Sequence, residues 1–145
     1  MDDDTPTVSC CASPGANACA FAKAVLSGAS SCELVARRAS GEQTMLECTS
    51  PVARINCATF AALLHERSRF ALRLPAPGRP MMHQHALRLQ CGGLDALREV
   101  LGVAERDVHC LVGAAHERHE SFTQLPWAPL VAAIVAWTPR RRARR

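Results

Sequence analysis

The 145-residue chain contains no tyrosine, two tryptophans and four phenylalanines. A core built around many stacked rings is therefore excluded, and the interior must come from aliphatic side chains and sulfur. Lysine is almost missing too: of 17 basic residues, Lys23 alone is not arginine. Together with abundant alanine, this reads as a GC-rich coding bias and not as selection for phosphate recognition. No apolar run approaches the roughly 20 residues of a membrane-spanning helix; the most apolar stretch is Leu130 to Trp137. The acidic start Met1-Asp2-Asp3-Asp4 is followed by no apolar h-region, so no secretory leader is expected and the chain reads as cytoplasmic.

Motifs of common enzymes are missing as well. There is no Gly-rich phosphate loop, no nucleophile elbow and no Cys-x-x-Cys-His haem signature. The string His116-Glu117-Arg118-His119 is one residue too short for a His-Glu-x-x-His zinc helix. The scattered acidic residues offer no obvious acid–base pair. Nothing here makes a positive case for an enzyme.

Against these absences stand 48% hydrophobic residues, 21% charged residues and eight cysteines. That is enough apolar material for one folded domain of ordinary size. The net charge of +4 is largely a terminal effect: Arg140, Arg141, Arg142, Arg144 and Arg145 outweigh Asp2, Asp3 and Asp4, leaving the body at +2. The organisation expected is a mobile arm over 1–15 that carries Cys10 and Cys11, a single Cys-rich domain over 16–139, and a basic tail over 140–145.

The fold class predicted is mainly α, a small compact helical domain with room for one short β-hairpin. Ala16 to Leu26 reads as a helix stopped by Ser27-Gly28. Ser30 or Ser31 would cap a second helix through Ala39, ended by Gly41. Thr44, Leu46 and Cys48 alternate as a short strand ended by Ser50-Pro51. Residues 52–69 carry the clearest helical stripe: Cys57, Phe60, Leu63, Leu64 and Phe70/Ala71. Ala-Leu-Arg-Leu occurs at 71–74 and again at 86–89, so these segments could pair as a hairpin, although Pro80 to Leu89 could also be helical. Three more helices are expected: one on Leu94, Leu97 and Leu101 ending at Gly102, one over Asp107–His119, and one over Pro126–Trp137.

In a reducing compartment an even cysteine count reads less as a disulfide framework than as metal ligands, redox thiols or small core residues. Cys19, Cys32, Cys48 and Cys57 follow the spacing C-x12-C-x15-C-x8-C, and each falls on the inward side of its expected element. Four thiolates are what a tetrahedral zinc or a cubane iron–sulfur cluster requires. No Cys-x-x-Cys knuckle accompanies them, which weighs against zinc ribbons and bacterial ferredoxins, and inert burial is the plain competitor. Wide spacing in an apolar, helical setting favours an iron–sulfur cluster, 4Fe-4S, over zinc. The function expected is electron transfer or redox sensing with a protein redox partner.

Other features have plainer readings. Cys91 before Gly92-Gly93 could replace one ligand, but paired glycines ordinarily mark a turn. Met81-Met82-His83-Gln84-His85 has donors that suit copper, and equally fits a solvated loop. His109, His116 and Glu120 share one helix stripe and read as a solvent face; adjacent His109 and Cys110 should point apart on a helix. Trp127, Trp137, Arg140, Arg141 and Arg142 form the candidate partner-binding surface, with nonspecific phosphate contact by the arginines as one use. The alternative function is thus a nonenzymatic adaptor or regulator with inert cysteines, binding an acidic partner or nucleic acid through its tail. A thiol-dependent enzyme using Cys57 or Cys110 is a third.

Overall fold

Residues 17–139 are described by a computed structural model. The Arg tail, including Arg140, Arg141 and Arg142, and the whole of the expected arm over 1–15, with Cys10 and Cys11, lie outside them.

The fold is mainly helical with one two-stranded antiparallel hairpin. Helix α1 spans Ala22–Leu26 and is followed by β1 (Val35–Ser40), β2 (Gln43–Cys48) and the long α2 (Pro51–Leu72). Then α3 (His83–Leu87) runs through a π-helical turn, Arg88–Gly92, into α4 (Gly93–Leu101). Helix α5 (Val108–His119), a 3-10 turn (Phe122–Gln124) and α6 (Trp127–Ala136) complete the described chain. None of these helices is long and apolar enough to cross a membrane.

The hairpin lies where a helix was expected over 31–39. Ser31 does not cap a helix because its backbone is already paired: its N–H donates to the Arg106 carbonyl at 3.0 Å and its own carbonyl accepts from Val108 N–H at 2.8 Å. The chain then turns at Cys32, extends, and Gly41 reverses it with φ of 63° instead of ending a helix. A glycine at the first position of a two-residue turn suits a hairpin of this kind. Strand β2, expected from its alternation, thereby gains the partner that a lone strand needs. The helix expected from Ala16 shrinks to α1, because residues around Ala18 join the hairpin through a bridge to Glu47.

Helix α2 begins where Ser50 accepts a hydrogen bond from Ala53 N–H at 3.3 Å, with Pro51 in the first turn. Such a cap satisfies an end donor, and proline's missing N–H costs nothing there. The helix closes at Arg73, which takes a left-handed conformation with φ of 53°. Its buried stripe is Cys57, Phe60, Leu64 and Ser68. Phe70 is a correction to the expected stripe: it falls outside this series and is 91% exposed. The hairpin suggested for 70–74 and 86–89 does not form, since the first segment finishes α2 and the second is helical.

Phe60 is the hub of the core, with ring centroids 6.0 Å from Phe21, 5.6 Å from Phe122 and 6.1 Å from Trp127. The few aromatics are thus pooled into one cluster, and aliphatic residues of α4, α5 and α6 fill the rest. Gly92 and Gly93 are not a turn but helical positions pressed by neighbouring side chains. A Cβ on Gly93 would stand 2.6 Å from Leu64 Cδ1, and one on Gly92 would stand 3.1 Å from Trp137 Cβ.

Candidate metal centre

The chain entering α1 runs alongside β2. Cys19 N–H donates to the Leu46 carbonyl at 3.0 Å, and Cys48 N–H donates to the Asn17 carbonyl at 2.8 Å. Cys19 therefore sits opposite Leu46, while Cys48 lies two residues farther along β2. Because side chains alternate across a strand, Cys19, Leu46 and Cys48 share one face. Diagonal neighbours of this type stand roughly 7–8 Å apart. Cys48 also pairs with Val35 in the hairpin register, and Val35 N–H donates to the carbonyl of Cys32 at 3.3 Å. Past β2, the Cys48 thiol reaches the Ser50 carbonyl at 3.3 Å, and Cys57 faces inward from the second turn of α2. The four cysteines thus come from four consecutive pieces of chain around one end of the hairpin.

Their charges register this proximity. Burial pushes the Cys57 thiol up from 9.0 to about 12, and the Cys19, Cys32 and Cys48 thiols each push it in the same direction. Cys19 is raised first by burial and then by Cys32 and Cys48, while the N–H of Phe21 opposes the shift. Cys32 is raised by burial, eased by the N–H groups of Leu34 and His109, and raised again by Asp107 and Cys48. At both Cys19 and Cys32 the easing donor includes the amide two residues later. An N–H aimed at sulfur favours the thiolate, and such hydrogen bonds tune metal-bound sulfur. All four are free thiols.

The four sulfurs are not drawn into a tight tetrahedron; the group of donors within 4.8 Å of one another lies next door. A zinc with sulfur bonds near 2.3 Å would need sulfurs about 3.8 Å apart. A cubane holds its thiolates farther apart, one at each iron corner.

The compact group is Glu33, Asp107, His109 and Cys110. Asp107 caps α5, its Oδ1 accepting from His109 N–H at 3.1 Å and from Cys110 N–H at 3.4 Å. Its Oδ2 accepts from Glu33 N–H at 2.9 Å. His109 Nε2 lies 3.0 Å from Glu33 Oε1 and 3.5 Å from Cys110 Sγ. This corrects the expectation that His109 is only a solvent face pointing away from Cys110: in the first helical turn the imidazole folds back over the thiol. Slight desolvation together with Asp107, Glu105, Glu33 and Cys32 pushes the Cys110 thiol up. This direction works against the thiolate. The alternative of Cys57 as a reactive thiol meets the same obstacle, since the thiolate is the reactive form.

The remaining residues singled out from the sequence are placed apart. Cys91 is buried in the π-helical turn, its sulfur 3.8 Å from Ser27 Oγ. Its thiol is raised by burial and by Asp95, and lowered by Ser27 and Arg98. His83 Nδ1 lies 2.8 Å from Lys23 Nζ, and Met82 is exposed. Trp127 is turned into the core, where its Nε1 donates to the Phe122 carbonyl at 2.9 Å and Arg67 stacks 5.6 Å from its ring. Trp137 covers Gly92 and donates to Asp95 Oδ2 at 3.1 Å. Both indoles thus make hydrogen bonds within the chain, with Trp127 buried and Trp137 half-buried. The chain matches no protein-family model, no curated protein and no solved structure.

Proposed function

We propose that Cys19, Cys32, Cys48 and Cys57 hold a metal centre, an iron–sulfur cluster of the 4Fe-4S type, and that the protein serves electron transfer or redox sensing. The observation that carries this reading is the gathering of four thiols from separate elements at one end of the hairpin, each within electrostatic reach of others in the set. Inert burial accounts for the apolar packing of Cys57, Cys19 and Cys32, but it gives no reason for four thiols to lie within each other's electrostatic influence. Four thiolates in one neighbourhood repel one another, and a cation is the partner that makes them stable together. The four cysteines are absent from the tight ligand groups of the described residues, which favours a cluster with one thiolate at each corner over a single zinc ion. When bound, a cluster accepts and returns one electron, and the buried side formed by Cys57 and Leu46 limits solvent access, one of the factors that set its potential.

Four single substitutions, Cys19→Ala, Cys32→Ala, Cys48→Ala and Cys57→Ala, test the assignment in protein purified without oxygen. Each should lower bound iron and the visible thiolate-to-iron absorption, while Cys91→Ala should leave both unchanged. Equal iron in all five variants, or none in the parent chain, overturns the proposal. The adaptor reading is separable, since it predicts that removing 140–145 abolishes salt-sensitive binding to an acidic partner, whereas the metal reading predicts unchanged metal content in the same deletion.

A further inference from the structure

Of the four cysteines, Cys32 alone takes a hydrogen bond from the compact group at the start of α5, through the His109 amide, and the donors of that group differ from an all-thiol set. Glu33 brings a carboxylate, His109 an imidazole and Cys110 a sulfur, which is the mixed nitrogen, oxygen and sulfur set that zinc accepts. Zinc bonds of about 2.0–2.3 Å at tetrahedral angles put neighbouring nitrogen and oxygen ligands about 3.3 Å apart, and nitrogen and sulfur about 3.6 Å apart. The corresponding distances are 3.0 Å for His109 Nε2 to Glu33 Oε1 and 3.5 Å for His109 Nε2 to Cys110 Sγ. These match two edges of a ligand triangle before any ion has drawn the groups together, and the third pair, Glu33 and Cys110, lies within 4.8 Å.

The triangle is held from behind. Ser31 and Val108 share a backbone hydrogen bond of 2.8 Å, Ser31 and Arg106 share another of 3.0 Å, and Asp107 clamps Glu33 N–H with one oxygen and the His109 and Cys110 amides with the other. Asp107 is thereby spent on positioning, with its Oδ1 3.8 Å from His109 Nε2. Outer contacts of this kind fix ligand geometry at metal sites. Cys110 and Glu33 are exposed, which gives an ion an open approach and leaves a fourth coordination position facing solvent.

We propose that Glu33, His109 and Cys110 form a second, surface site for a divalent transition ion of the zinc class, oriented by Asp107. This does not depend on the interior centre. A salt bridge and a helix cap explain the carboxylates and the imidazole, but neither calls for a thiol at the third corner.

The test is titration of cobalt(II), a zinc substitute with visible transitions, into the full chain and into Cys110→Ala and Glu33→Gln. Both side chains are exposed, so both variants should keep the parent far-ultraviolet circular dichroism. The parent should bind one equivalent more than Cys110→Ala, through a cobalt–thiolate absorption that this variant lacks. Glu33→Gln should weaken that equivalent by at least the roughly 10-fold that even outer-contact changes cost at metal sites. If the interior reading is wrong, the parent binds one equivalent and Cys110→Ala none. If this proposal is wrong, stoichiometry and affinity are the same in all three proteins. As a second readout, zinc should shift the His109 ring resonances in the parent chain; unmoved resonances also overturn the assignment.

Discussion

Raising the pH should unfold the metal-free protein through Cys57 in particular. In the folded chain its thiol is pushed up from 9.0 to about 12, first by burial and then by Cys19, Cys32 and Cys48. The unfolded chain lets the same thiol ionise near its ordinary value, so between these two limits the unfolded state binds fewer protons and gains on the folded one. Stability is therefore fully present below about pH 9 and is lost as pH rises toward 12. By linkage the loss from Cys57 alone is about 1 kcal/mol at pH 10 and approaches about 4 kcal/mol above pH 12. Cys19 and Cys32 act in the same direction. The assay is urea unfolding of the chelator-treated chain at pH 8 and pH 10, compared with Cys57→Ala. With a slope of about 2 kcal/mol per molar urea, the parent midpoint should fall by about 0.5 M more than that of the variant. Equal falls in the two proteins would refute the picture of Cys57 as a buried thiol among thiols.

Two further predictions concern packing. Ser68 is fully buried with a hydroxyl that has no hydrogen-bond partner among the described residues, so Ser68→Ala should raise stability by about 1 kcal/mol; a lowered urea midpoint would mean that the hydroxyl is satisfied. Gly93→Ala places a Cβ 2.6 Å from Leu64 Cδ1, and the overpacking of about 1–3 kcal/mol should outweigh the helix-propensity gain of about 1 kcal/mol, giving a lower melting temperature that a Leu64→Ala background relieves.

The elements legible in the sequence were those whose information is local. Helix α2 carries its cap, its proline and its buried stripe within one run of chain, and α4 ends at a glycine that indeed takes a left-handed conformation. Strand β2 was readable from alternation alone. Strand β1 was not, because what keeps Ser31 from starting a helix is a backbone pairing with 106–108, far along the chain. The glycine pair at 92–93 looked like punctuation; only the presence of Leu64 and Trp137 shows why a side chain is excluded there. At the proposed cysteine site, helical phasing placed Cys19 and Cys32 on helices, whereas Cys19 arrives on an extended segment and Cys32 on a turn. The surface triangle was missed since Glu33 and His109 are 76 residues apart. The adjacent pair His109-Cys110 was its local trace.

The central claim concerns four numbered sulfurs and one cofactor. Purification of the full chain under strict exclusion of oxygen, followed by quantitation of iron and acid-labile sulfide, addresses it most directly. The account predicts about four iron and four sulfide per chain, lost together on substitution of Cys57. A folded protein that contains neither iron nor sulfide, and takes up neither when both are supplied under reducing conditions, would contradict it.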